Sequence, residues 1–386
     1  MNLTQAERDR RWAAAVELMR RRDVDALVCY SNLGDIPAEQ RYFSGYRSQF
    51  DDVAVLLFPD GSCELVVAHA GVRGLAKALS WVSEPVTASP VKPWLVGGAV
   101  GTETAGASSI GGEIANQVLR RKGRRIGVAG LAGLPSGWKE TIAAAVPGVS
   151  FVDLVDDVRH LRMVKSPEEL RLVREACRIA DEAWLHVPEV LAVGRRRYEV
   201  LADLEHILRL NGCEDSYNLL MHLPFLQQPL DHNPYSALRI QPGDLYTLEI
   251  SPRFRGYYGQ QTGLVSVGGP PPREMRDAFD AVVRARDAGL AVMKAGVDML
   301  EVTRAVEAEM KRLDHQLASP LTGHFVGLEL EELRAGGASM VLEAGMTYIF
   351  HPFAAGHPAV MRADTYLITD TGVERLTSGR MAPLAL

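Results

Sequence analysis

Residues 243–250, GDLYTLEI, decide the fold class, because their pattern returns at residues 345–352, GMTYIFHP. Each copy begins with a glycine, which is typical of a turn, and continues with the alternating side-chain pattern that is typical of a β-strand. Glu249 and His351 occupy the same place, six residues after the glycine of their copy. Side chains on a strand alternate between two faces, so both residues lie opposite their apolar neighbours. We therefore predict two matching β-hairpin units whose inner faces share one cavity.

Helical patterns accompany both units. Apolar residues recur at three- and four-residue spacing over 167–190, 197–210 and 272–294, and Asp298 caps one more helix. Three signals indicate that the first of these helices begins after Ser166. Ser166 is a typical N-cap residue, a proline follows it, and a glutamate lies three residues after it. The second half of the chain is thus predicted to be a pseudo-symmetric α+β domain.

The first half of the chain has a different pattern. A capping box at Thr4–Glu7 predicts an opening helix to about Arg22, and short apolar strands follow, two of them separated by Asp60-Gly61. A chain of 386 residues is long enough for two domains. We predict an α/β domain over residues 1–162 and the α+β domain over residues 163–386.

Composition limits the classes of function. The chain is 47% hydrophobic and 23% charged, carries a formal net charge of -6, and has no apolar run long enough to span a membrane. It also lacks the long basic run of a nucleic-acid-binding protein. The four cysteines have no metal or redox spacing. We expect a cytoplasmic protein with reduced thiols that binds a small molecule or peptide and neither nucleic acid nor a membrane.

Two stretches, VKSPEELRLVREACRIADEAW from residue 164 and TGHFVGL from residue 322, resemble the creatinase, prolidase and methionine aminopeptidase group, family M24. The resemblance covers nearly the whole chain. It implies a creatinase/prolidase-type N-terminal domain, a catalytic domain with the "pita-bread" fold, and a homodimer.

Peptidases of this group bind two metal ions through Asp, Asp, His, Glu and Glu. By resemblance those positions are Glu249, Gln260, His324, His351 and Ala363. Two divalent ions need bridging carboxylates to offset their repulsion, and Gln260 and Ala363 supply none, so a two-metal site is not expected. The other four residues still form a ligand set for one Fe, Zn or Mn ion.

Creatinase itself acts without metal, and its catalytic histidine lies in a stretch similar to residues 231–234, DHNP, which makes His232 the matching residue. A neutral imidazole can take a proton from water and return it to a leaving nitrogen. The leading prediction is a metal-independent, creatinase-like hydrolase that cleaves a C–N or related bond of a small amino-acid-derived substrate. It needs no cofactor, and Glu249, His324 and His351 assist His232.

Substrate-binding candidates complete the predicted site, and they are Gln260, Thr262, Glu331, Arg362 and Arg47. Thr262 and His351 replace the two glutamates that bind guanidinium in creatinase, so creatine itself is not expected. Arg362 and Asp364 could instead form a structural ion pair. By resemblance, Arg47 belongs to a loop that reaches a partner subunit's site. Two alternatives remain: a mononuclear metalloenzyme using Glu249, His324 and His351, and a catalytically silent binding protein.

Overall fold

The computed structural model describes residues 3–31, 38–48, 51–89, 109–223, 237–335, 339–356, 360–379 and 382–386. The chain divides into two compact units between Arg162 and Met163. Within these described ranges, no helix is both long and apolar enough to cross a membrane.

The first unit is built on a mixed six-stranded sheet in the order β4-β3-β2-β1-β5-β6. Strand β1 pairs antiparallel with β2 and parallel with β5. The central strands β1 and β2 are wholly buried, because helices cover the sheet. The strands are β1 (Ala26–Ser31), β2 (Val53–Leu57), β3 (Cys63–His69), β4 (Val86–Ser89), β5 (Arg125–Val128) and β6 (Ser150–Asp153), and the helices are α1 (Gln5–Arg22), α2 (Ala38–Ser44), α3 (Ala70–Leu79), α4 (Ile110–Arg120), α5 (Ser136–Ala145) and α6 (Val155–Met163).

The second unit contains two five-stranded sheets, one with β16-β10-β8-β7 and β9 beside β8, the other in the order β12-β11-β13-β14-β15. Its helices are α7 (Pro167–Leu185), α8 (Val187–Val190), α9 (Arg197–Leu210), α10 (Arg273–Val292) and α11 (Met299–Arg312). Its strands are β7 (Asp215–His222), β8 (Leu245–Phe254), β9 (Tyr257–Tyr258), β10 (Gln261–Ser266), β11 (Gly323–Phe325), β12 (Leu333–Ala335), β13 (Thr347–Phe350), β14 (Asp364–Ile368), β15 (Val373–Arg375) and β16 (Leu384–Ala385).

Local signals define the helix that opens this unit. Ser166 and Glu169 form a reciprocal capping box, in which the Glu169 amide donates to Ser166 at 3.2 Å and the Ser166 amide donates to Glu169 at 2.8 Å. The predicted helix over 167–190 is divided, however, and α7 ends at Leu185. Pro188 lacks the N–H that would bond the carbonyl of residue 184, so the regular helix cannot continue through it.

Both repeat units begin at a glycine that a side chain would strain. Gly243 has φ +89° and Gly345 has φ +96°, in the left-handed region that favours glycine. Each turn leads directly into a strand of its sheet, β8 or β13. The two turns therefore fix the residue at which each strand starts. This in turn determines which side chains face the cavity.

The outer face of each sheet packs on helices. Leu248 and Ile250 of β8 belong to the core that α7, α8 and α9 cover, and Tyr348 and Phe350 of β13 belong to the core under α10 and α11. Because neighbouring side chains alternate, Glu249 faces inward. The predicted division into an apolar face and a chemical face is thus observed.

The two inner faces adjoin through β10 and the segment that leads into β14. Thr262 and Ala363 exchange backbone hydrogen bonds of 3.0 and 3.3 Å. The Thr365 hydroxyl accepts a hydrogen bond from the backbone N–H of Gln260 and donates one to the backbone carbonyl of Gln260, each at 2.9 Å. These bonds make one continuous floor from the two sheets, and the candidate site lies on it.

Candidate active site

Glu249 is the carboxylate of the first sheet's inner face. Protein surrounds it, yet part of the residue remains accessible to solvent, as at the floor of a narrow cleft. Burial raises the pKa of this carboxyl to about 7, and the negative charge of Glu331 adds to the increase. A carboxyl of this kind exists in both protonation states near neutral pH, as a general acid or base must.

Gln260 holds that carboxylate in place. Its side-chain amide nitrogen donates to Glu249 Oε2 at 3.3 Å and to the Ser251 hydroxyl at 3.0 Å. Its amide oxygen is buried without a hydrogen-bond partner. Sequence reasoning proposed Gln260 as a weak metal ligand or substrate contact, but here it is a donor to the neighbouring acid. Ser251 was missed, although its place two residues after Glu249 puts it on the same face.

His324 and His351 form the second sheet's contribution. Their ring centroids are 5.1 Å apart and the rings are inclined by 60°. His324 is 3% exposed and His351 is 8% exposed, and the Nδ1 atoms of both are buried without a hydrogen-bond partner. Burial lowers the pKa of His324 to about 4 and that of His351 to about 3, and in His351 the neighbouring His324 contributes to the decrease. Both imidazoles are therefore neutral at pH 7.

An apolar cluster occupies the position of the missing carboxylate. Ala363 is fully buried and packs with Val326 and Ile349. Thr262, which pairs directly with Glu249 across β8 and β10, is also fully buried, and its hydroxyl has no hydrogen-bond partner. This part of the floor offers a metal ion no charged oxygen.

The donor set decides which metal arrangement the residues fit. Within the described residues there is no group of three or more His, Cys, Asp or Glu side chains that could hold a metal ion. Glu249 therefore does not form a preassembled three-ligand set with His324 and His351. A pair of ions does not fit, because the carboxylates that would bridge them are absent. One ion fits better, since two neutral imidazoles lie side by side with unpartnered nitrogens.

The other candidates lie elsewhere. Glu331 is exposed and binds Arg334 through two hydrogen bonds of 2.8 and 2.5 Å. Arg362 pairs with Asp364 at 2.7 Å in the protein interior, which is the structural alternative to substrate binding. Arg47 belongs to the first unit. His232 lies outside the described residues.

Comparison with known proteins identifies two matching family models. The model of metallopeptidase family M24 matches residues 171–370, and the model of the creatinase/prolidase N-terminal domain matches residues 11–164. The chain is 29% identical over 234 residues to an Xaa-Pro dipeptidase of Pyrococcus furiosus, a match that covers 59% of this chain and 66% of that relative. It is 28% identical over 234 residues to a probable dipeptidase, PepE, of Mycobacterium tuberculosis, covering 58% of this chain and 61% of the relative.

Solved structures show the same fold. The dipeptidase PepE of Mycobacterium ulcerans has a TM-score of 0.79 at 22% identity and covers 100% of this chain and 99% of its own. An Xaa-Pro dipeptidase of Bacillus anthracis has a TM-score of 0.79 at 21% identity, with coverage of 99% and 100%. The predicted family and the predicted α/β plus pita-bread architecture are confirmed.

Two predictions are corrected by these comparisons. A metal-independent, creatinase-like hydrolase was expected, but the catalytic half matches a metallopeptidase family and the relatives are named as dipeptidases. The expectation that no cofactor is needed is wrong for the same reason. The missing carboxylates favoured a metal-free site, although the Nδ1 atoms of two imidazoles remain without a partner.

Proposed function

This chain belongs to metallopeptidase family M24, and we propose that it is a hydrolase that cleaves the peptide bond of a small, Xaa-Pro-like substrate with one divalent metal ion as its cofactor. The observation that carries the proposal is the pair of buried, neutral imidazoles of His324 and His351, whose Nδ1 atoms lack partners. The relatives that are named as Xaa-Pro dipeptidases support a peptidase over the non-peptidase hydrolase or lyase that the sequence suggested.

His324 and His351 would hold the ion. A bound divalent ion polarises a carbonyl oxygen and lowers the pKa of bound water. The protein's own contribution is to keep both histidines neutral, because only the neutral ring has a lone pair to offer a metal. Their burial, which lowers the pKa of each, achieves this across the physiological pH range.

Glu249 would move the proton. Gln260 donates to Oε2 of this carboxyl, so the proton of the acid form is carried on Oε1. With a pKa of about 7, the group can accept a proton from water and release it to a leaving nitrogen at neutral pH. Gln260 and Ser251 fix its orientation, while Ala363, Val326 and Ile349 give the floor an apolar surface that disfavours bulk water.

Metal content and hydrolysis test this proposal together. The purified chain would be stripped with a chelator, reloaded separately with Mn, Co, Zn and Fe, and assayed on L-alanyl-L-proline. We expect about one ion per chain and hydrolysis that depends on it. His351→Ala should lose the ion and lower kcat/KM by about 100-fold or more. His206→Ala, on an exposed position of α9, is the matched control and should change neither.

Two outcomes would overturn the proposal. One is hydrolysis of the dipeptide that continues unchanged in the stripped protein. The other is no hydrolysis with any of the four metals. Binding of two ions per chain would contradict the single-ion part alone. The homodimer and the cytoplasmic location expected from sequence stay predictions, and light scattering of the same preparation measures the first.

A further inference from the structure

A second pocket lies on the reverse side of β10, away from the candidate active site. Its volume is about 190 Å³, and β10, the end of α7 and the C-terminal segment line it. Gln261 and Gly263 contribute from β10, on the face opposite to Gln260 and Thr262. The pocket is thus separated from the catalytic floor by the thickness of one strand.

Much of the wall is apolar. Trp184, Leu185, Pro188 and Leu384 line it, and Leu185 is 71% exposed where it meets solvent. The Trp184 ring lies close to β10 because residue 263 is glycine, since a Cβ there would approach the ring to 3.0 Å. These side chains form a surface that can bind a small aliphatic group, because the transfer of such a group out of water is favourable.

One side of the pocket is positively charged. Arg362 lines it, and Arg362, Arg286 and Arg375 all contact the carboxylate of Asp364 at 3.0 Å or less. Arg286 also contacts Asp287, and the guanidinium of Arg362 is the charged group of this cluster that lines the pocket. The Arg362 Nε and Trp184 Nε1 atoms have no hydrogen-bond partner. Both are donors, which suit a carboxylate oxygen.

The other side carries acceptors. Asp181 accepts the Ser378 amide through both carboxylate oxygens, at 2.9 and 2.8 Å, and burial raises its pKa. Gln261 is 2% exposed and its amide oxygen has no hydrogen-bond partner. An unpartnered buried carbonyl is destabilising, so a ligand that donates a hydrogen bond to it recovers that free energy. An ammonium group supplies such donors and pairs with the Asp181 charge.

We propose that this pocket binds a free α-amino acid with an apolar side chain. Its carboxylate lies toward Arg362 and Trp184, its ammonium toward Asp181 and Gln261, and its side chain among Leu185 and the neighbouring apolar groups. An aliphatic acid lacks the ammonium and an amine lacks the carboxylate, so neither matches all three walls. The site is independent of the proposed hydrolysis and does not use the catalytic residues.

Isothermal calorimetry with L-leucine tests the site on the full chain. We expect one saturable site, with isocaproic acid and isoamylamine each binding at least about tenfold more weakly, since each lacks one charged group. Asp181→Asn should weaken L-leucine binding by about tenfold or more. Ala382→Trp, at an exposed position of the pocket rim, should block it sterically. Glu175→Gln, at a partly buried position of the same helix that does not line the pocket, is the matched control.

The result that overturns the proposal is specific. Absence of saturable L-leucine binding would do so, as would binding that survives both Asp181→Asn and Ala382→Trp. Binding that disappears in His351→Ala would place the amino acid in the candidate active site instead. Equal affinity for L-leucine and isocaproic acid would remove Asp181 and Gln261 from the site. A failure of dipeptide hydrolysis would leave all these outcomes unchanged, so the two proposals fail separately.

Discussion

The two halves of the catalytic floor hold ionisable groups that burial affects in opposite ways. On the first sheet burial raises the pKa of Glu249 to about 7, and on the second it lowers the pKa of His324 to about 4 and of His351 to about 3. In each case burial disfavours the charged form. The floor therefore approaches electrical neutrality at mildly acidic pH, although it is built from one acid and two bases.

The halves also differ in how well the hydrogen-bonding atoms of their ionisable groups are satisfied. The Glu249 carboxylate accepts from Gln260, which also donates to Ser251, whereas the Nδ1 atoms of His324 and His351 have no partner. A satisfied group contributes a fixed geometry, and an unsatisfied one is available to a ligand. This difference supports the proposal that the first sheet transfers the proton and the second binds the metal.

The largest expected effect comes from restoring a carboxylate to the second sheet. Ala363→Glu would place a charge against Val326 and Ile349 with no partner, and we expect the metal-free protein to lose about 3–5 kcal/mol of unfolding free energy. Denaturant unfolding at pH 8 measures it. Ala382→Glu, at an exposed position, should cost almost nothing. An Ala363→Glu chain as stable as its parent would mean that this part of the floor is not apolar.

Removal of the first sheet's acid should change how stability depends on pH. Because the folded-state pKa of Glu249 is raised, its contribution is fully present below pH 4.5 and is lost as the pH rises to about 7. The difference in unfolding free energy between the metal-free parent and Glu249→Gln should change by about 1.4 kcal/mol per pH unit in that interval. Parallel profiles for parent and Glu249→Gln would contradict the raised pKa.

Replacement of either histidine of the second sheet should change the pH dependence of the unfolding free energy in the opposite direction. The folded-state pKa of each histidine is lowered, so its contribution is present above about pH 6.5 and is lost as the pH falls toward 4. His324→Gln or His351→Gln should remove a slope of about 1.4 kcal/mol per pH unit from the metal-free protein. His206→Gln, at an exposed position, serves as the control. If the slope survives both replacements, these rings are protonated in the folded state.

The junction between the sheets offers a matched pair of threonines. Thr365 makes two hydrogen bonds to the backbone of Gln260, whereas the Thr262 hydroxyl makes none, and both residues are fully buried. Thr365→Val should cost about 1–2 kcal/mol, and Thr262→Val should be neutral or stabilise by up to about 1 kcal/mol. Thermal unfolding of the two variants decides this. A cost for Thr262→Val that equals that of Thr365→Val would show that its hydroxyl has a partner.

The smallest effect is electrostatic. The charge of Glu331 raises the pKa of Glu249, but Glu331 is exposed and bound to Arg334, so solvent and the guanidinium screen it. Glu331→Gln should lower the pKa of Glu249, as measured by carbon-13 NMR titration of that carboxyl. Glu307→Gln on the exposed face of α11 should leave the titration unchanged. An unchanged titration in Glu331→Gln would leave burial as the sole cause.

Much of the fold follows from local sequence. The capping boxes, the glycine turns at Gly243 and Gly345, and the alternation along β8 and β13 all depend on residues close in the chain. The predicted helix over 167–190 failed at one point, because the consequence of Pro188 was overlooked. The candidate residues Glu249, Gln260, His324 and His351 were proposed from the family resemblance, and strand alternation predicted the face on which Glu249 and His351 lie.

The roles of those residues were less accessible. Gln260 donates to Glu249 because β8 and β10 pair in one particular register. Glu331 lies at the surface and pairs with Arg334. The missing carboxylates favoured the prediction of a metal-free mechanism, although the two histidines could still bind one ion. The pocket behind β10 had no sequence signal at all, since its walls come from segments that are distant in the chain.

The sequence by itself determined the secondary structure, the face on which each site residue lies, and the absence of the family's bridging carboxylates at Gln260 and Ala363. The tertiary structure decided which of those groups are charged and which are satisfied. The physical reason is range: turns, caps and alternation are set by neighbours in the chain, whereas a pKa or a hydrogen bond within the site depends on residues that are distant in the chain, such as Gln260 and Thr365, which lie 105 positions apart.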